Sequence, residues 1–132
     1  MEIEEVGKRE IEQMEKVSER VRFCCSQISF VEIMGLLGKH KNLDKQIVSI
    51  GIRSLLESGR YRWVSPTSEI VQLAMELPSN GHKDNIDNLL YATAHESKML
   101  FLSLDSELKS FLRRNGYDHG IVIGVRDLPQ KV

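Results

Sequence analysis

Met99-Leu100-Phe101-Leu102-Ser103-Leu104-Asp105-Ser106-Glu107-Leu108 is an apolar run that ends in a carboxylate, with a helical pattern directly behind it. The run 99–103 is short and bounded by polar residues, so it reads as a buried strand. Behind it Leu108, Phe111 and Leu112 recur at helical spacing as far as Asn115-Gly116, where the glycine ends the helix. Gly120-Ile121-Val122-Ile123 is the next strand. Strand, helix and strand in that order imply a right-handed crossover and a parallel pairing. In sheets of that kind ligands bind beyond the carboxyl ends of the strands, and Asp105 falls on that rim.

The same alternation extends outward in both directions. Residues 2–19 read as a charged amphipathic helix, with Ile3, Val6, Ile11, Met14 and Val17 on one stripe. Val21–Ser26 is a short strand, and a helix follows from about Ser29 to Gly38, ended by the glycine and the Lys39-His40-Lys41 cluster. Asn42 is placed to cap the next helix, which carries Leu43, Ile47, Ile50 and Leu55 and stops at Ser58-Gly59. Tyr61–Val64 is a brief strand. Helices are expected over Thr67–Leu77, broken by Pro78-Ser79-Asn80-Gly81, and over Asn85–Ser97. The fold class is therefore α/β, with a mostly parallel central sheet flanked by helices.

A chain of 132 residues is one domain of ordinary size, able to bury roughly 68% of its unfolded surface. The net charge of −1 gives no global field to attract nucleic acid, so any such contact needs a local patch. No stretch approaches a membrane span, and the acidic, helical start is unlike a signal peptide. Cys24 and Cys25 are adjacent in an apolar run with no metal-binding spacing, which reads as buried, reduced thiols of a cytoplasmic protein.

Three carboxylates lie where apolar segments begin or end, and a divalent cation is the usual reason to hold such groups together. Glu32 interrupts the apolar run 28–34, where a buried, unpaired carboxylate would cost several kcal/mol. Its bland alternative is a solvated glutamate favoured by the helix dipole. Asp87 opens the helix Asp87-Asn88-Leu89-Leu90-Tyr91-Ala92-Thr93-Ala94, and Asp84, three residues earlier, competes with it as helix cap or metal ligand. Asp105 alone looks like an ordinary cap.

In order and spacing, the segments around Glu32, Asp87 and Asp105 resemble the PIN domain, the fold of metal-dependent ribonucleases such as the VapC-type toxins. The resemblance runs from about Ser29 to Ile123. It implies a three-layer sandwich spanning 1–132 as a single domain, with Glu32, Asp87 and Asp105 as catalytic metal ligands. Asp84 would assist, and Ser103, the hydroxyl residue two before Asp105, would orient the site. The implied cofactor is Mg²⁺ or Mn²⁺, which lowers the pKa of a bound water and neutralises phosphate charge during phosphodiester hydrolysis. The implied partners are an RNA substrate, a small antitoxin protein and a second copy of the chain, packed through the stripe of the first helix. The family opens with a strand bearing a further Asp, and no such strand precedes the first helix here. The competing expectation is a PIN-derived interaction or dimerisation module without catalysis.

Other residues carry less. His40, His82, His95 and His119 are scattered without zinc-like spacing and read as surface or core histidines. Lys39, Lys41, Lys45, Arg60 and Arg62 are candidates for a path along an RNA backbone.

Overall fold

The structure, a computed structural model, describes residues 12–39, 42–103 and 106–128. The chain divides into two compact units, Arg22–Ser65 and a second made of Met1–Val21 with Pro66–Val132. Each is mixed α/β, and each contains one pair of short parallel strands. Among the described residues no helix is long and apolar enough to cross a membrane. Residues 12–17 are helical (α1), and the expected helical stretch 2–11 lies outside the described residues.

The unit Arg22–Ser65 runs β1 (Phe23–Ser26), α2 (Ser29–Lys39), α3 (Lys45–Glu57) and β2 (Tyr61–Val64). The parallel register sets Phe23 opposite Tyr61 and Cys25 opposite Trp63. Tyr61, Trp63 and Val64 are residues that suit a pleated, half-buried surface. Trp63 fastens the unit: its indole N–H donates to the Leu55 carbonyl at 3.0 Å. Its ring stacks on Phe30 with centroids 4.9 Å apart and planes 10° off parallel, an arrangement worth about 1 kcal/mol beyond buried area.

Two expectations are corrected in this unit. Asp44, not Asn42, caps α3: its side chain accepts the Gln46 N–H at 2.9 Å, and Asn42 lies in the preceding turn. A carboxylate at that position also meets the positive end of the helix dipole. The cysteines are free but not buried, because strand alternation turns Cys24 outward and leaves Cys25 half-buried. Partial burial, and then the neighbouring Cys24, push the Cys25 thiol pKa up.

The second unit carries α4 (Ser68–Ser79), α5 (Asn85–Glu96), β3 (Phe101–Leu102), α6 (Ser106–Arg114), β4 (Val122–Ile123) and a short 3₁₀ turn, Val125–Asp127. Thr67 caps α4 by accepting the Ile70 N–H. Pro78 does not break this helix. It sits one residue before the helix ends, so little helix remains beyond it to be disrupted. The stop comes beyond Ser79, where Asn80 closes the turn onto Glu76, Leu77 and Pro78 and Gly81 takes a φ of +111°. The core joins Leu77, Tyr91, Leu108, Phe111, Leu112 and Val122, with Leu73, Phe101, Tyr117 and Ile121 against it.

Both strands are shorter than the apolar runs that contain them. At 99–103 the chain is first claimed by the end of α5: Lys98 adopts φ +56° and the Met99 N–H donates to the Ala94 carbonyl at 2.9 Å. Gly120 is likewise held in a turn by the Asp118 carboxylate. The parallel ladder is nonetheless clear, with the Phe101 and Ser103 N–H groups donating to Ile121 and Ile123.

Tyr91 is fully buried, and its hydroxyl donates to the Asp118 carbonyl at 2.9 Å. Burial, with smaller contributions from Asp118 and Tyr117, pushes its pKa up to about 12. A phenol in the unfolded chain titrates near pH 10, so the folded state holds the proton more tightly. The resulting stability is complete below pH 10 and is lost as pH rises toward 12. Urea unfolding midpoints should fall across that window. In Tyr91→Phe this component of the fall should vanish.

Candidate functional site

The start of α5 is built by three side chains. Asp84 is the N-cap and accepts the Asp87 N–H at 3.1 Å. Asp87 follows in the first helical turn, half-buried. Asn88, 1% exposed, locks the approach to the helix: its amide donates to the His82 carbonyl at 2.8 Å and its oxygen faces His82 Nδ1 at 2.6 Å. That oxygen can only accept, so Nδ1 carries the ring proton. The His82 ring also lies 5.0 Å from Phe111. His82 is thus a structural histidine that fixes the loop carrying Asp84. Sequence reading missed this pair, because an Asn within an amphipathic helix gives no sign of being buried.

Glu32 is exposed in the first turn of α2, in the unit Arg22–Ser65, whereas Asp84 and Asp87 belong to the second unit. Asp105 lies outside the described residues. Ser103 follows β3, half-buried, and its N–H donates to the Ile123 carbonyl at 3.0 Å. Among the described residues no group of three or more His, Cys, Asp and Glu side chains is placed to hold a metal ion. The donor chemistry of Glu32, Asp87 and Asp105 fits a hard cation, being oxygen alone.

A cavity of about 340 Å³ opens along α6 beside β4. Its polar lining comes from Ser103, Ser106, Lys109, Ser110, Arg113 and His119, over a floor of Val122 and Ile123. Asp127, also in the lining, accepts the Gly124 N–H at 3.1 Å. Among the described residues neither Lys109 nor Arg113 forms an ion pair. The signal for this feature was present in the sequence. Lys109 and Arg113 are four apart on the helix whose opposite face is Leu108, Phe111 and Leu112.

Compared with family models, curated proteins and solved structures, the chain finds no match in any of the three.

Proposed function

We propose that the chain is a PIN-like, metal-dependent ribonuclease in which Glu32, Asp87 and Asp105 would hold Mg²⁺ or Mn²⁺. The observation that carries this reading is the division of labour at the start of α5. Asp84 performs the capping, and Asp87 adds a second, half-buried carboxylate in the same turn, at the position the resemblance gives to a metal ligand. The sequence Ser103-Leu104-Asp105-Ser106, which falls between the end of β3 and the start of α6, supports the same reading. The finer architecture belongs with it: a three-layer sandwich with one mostly parallel sheet. When bound, the ion would supply a lowered-pKa water and neutralise charge on phosphate oxygens. The chain's own part is to hold the carboxylates, through the Asn88–His82 lock and the Asp84 cap. The partners would be RNA and a small antitoxin protein. The test is cleavage of a labelled single-stranded RNA with Mn²⁺ and with EDTA. Cleavage only with Mn²⁺ is expected, and none under either condition would overturn the reading.

A second reading, a non-catalytic PIN-derived interaction module, is favoured by α3. That helix buries no residue, and Ile47 and Ile50 are 68% and 69% exposed. Exposed aliphatics on one helix mark an interaction surface. Under this reading sedimentation finds a homodimer that Ile47→Ser/Ile50→Ser converts to monomer. A monomeric parent at micromolar concentration would sink it.

A further inference from the structure

We infer that the groove between α2 and α3 is a docking site for an amphipathic helix of another protein, one whose apolar ridge is flanked by Asp and Glu. The groove has a volume of about 420 Å³. Leu37 of α2, Leu43 of the connection that follows it, and Val48 and Ile52 of α3 make its apolar floor. α3 is apolar on two faces yet buries no residue. Ile52 and Leu56 stand roughly half a turn around the helix from Ile47 and Ile50, and all four are exposed. A helix that is apolar all round is normally covered by protein, and contiguous exposed apolar surface marks an interaction site.

Charge identifies the occupant of the groove face. Lys45, Val48, Ile52 and Arg53 follow the i, i+3, i+7, i+8 spacing of one helical stripe, so a cation stands at each end of the apolar floor. The two cations are eight residues apart, roughly 12 Å along the helix. Among the described residues no Asp or Glu lines the groove, and neither cation forms an ion pair. The acid next to Lys45, Asp44, is held on the Gln46 N–H as the α3 cap. His40 and Lys41, which fall between Leu37 and Leu43 and lie outside the described residues, add no acid. Over the whole unit Arg22–Ser65, seven Lys and Arg stand against three Asp and Glu, a net charge of +4 in a chain whose overall charge is −1. The complementary surface is an apolar ridge with acids seven or eight residues apart. An α-helix presents both on one face, and apolar anchors at i, i+3, i+4 and i+7 are how helices seat in such grooves.

Docking of such a helix rests on the interaction-module reading of α3 and needs no metal site. The groove lies on the face of α3 away from Ile47 and Ile50, so homodimerisation and helix docking can fail separately. The experiment is fluorescence anisotropy with the full chain and a labelled synthetic helix of about 18 residues, with leucines at i, i+3, i+4 and i+7 and glutamates beside them. A second peptide carries lysine in place of each glutamate and should bind at least about tenfold more weakly, because like charges then meet. Lys45→Gln/Arg53→Gln should weaken binding of the acidic helix about fivefold, the effect of two exposed ion pairs, and should flatten its salt dependence. Leu43→Ser/Ile52→Ser should weaken it about tenfold or more by removing apolar floor. Two controls, Lys16→Gln/Lys83→Gln and Ile47→Ser/Ile50→Ser, change exposed residues that do not line the groove and should bind as the parent does. Circular dichroism confirms that each variant folds. Three results would overturn the proposal: a parent that does not bind the acidic helix, equal binding of the acidic and lysine helices, or a loss in either control as large as in the groove variants. If the parent instead sediments with phosphatidylglycerol vesicles and leaves the helix unbound, the face belongs to an anionic membrane.

Discussion

Leu112→Ala should lower the unfolding free energy by about 2–5 kcal/mol, the range for deleting a fully buried leucine side chain. Leu112 has no exposed surface, and its neighbours in the core come from α4, α5, α6 and β4. The cavity left by the substitution is lined by Leu77, Tyr91, Leu108, Phe111 and Val122, of which Tyr91 is also fixed by its hydrogen bond to Asp118. A site tied down in this way collapses poorly, which places the expected loss in the upper half of the range. In a chain of this size each kcal/mol moves the thermal midpoint by roughly 4 °C. Circular dichroism melting should therefore show a fall of more than 10 °C. Leu56→Ala, at a position 51% exposed, should move the midpoint by a degree or two at most.

The second large effect separates two aspartates three residues apart. Asp84→Ala removes the acceptor for the Asp87 N–H and should cost roughly 1 kcal/mol of stability. Metal-dependent cleavage should survive it with a modest loss of rate. Asp87→Asn keeps the shape of the side chain and leaves the cap in place. It should lower the Mn²⁺-dependent cleavage rate about a hundredfold or more, since a ligand supporting several kcal/mol of charge stabilisation is lost. The reverse pattern, with Asp84→Ala the inactive variant, would exchange the roles of the two residues.

How far sequence reading reached depends on the range of the interaction that sets each feature. Helices with a strong apolar period, α5 and α6, were legible to within a residue or two, because the buried residues Leu108, Phe111 and Leu112 recur at helical spacing. Strand lengths were not. The residues around Met99 are apolar enough to extend β3, but the hydrogen bond from Met99 back to Ala94 commits them to the end of α5. That competition depends on a left-handed Lys98, which its residue type does not announce. Capping was half legible: Asp84 was foreseen as a possible cap, whereas Asn42 yielded to Asp44, an equally good cap two residues on. At the candidate site, Asp87 and Asp84 could be read from their place before an apolar helix. The Asn88–His82 pair could not, because its partners meet only once the loop between α4 and α5 has closed. Glu32 was correctly placed in a first helical turn, and it is exposed there.

The most direct test of a carboxylate metal site is thermal unfolding of the parent chain and of Asp87→Asn, each with and without Mn²⁺. An ion present at about 100 times its dissociation constant stabilises the folded state by roughly 2.7 kcal/mol, a shift of several degrees. The ribonuclease account predicts that rise in the parent and its loss in Asp87→Asn. A parent whose midpoint does not move with Mn²⁺, or a variant that responds as the parent does, would contradict it.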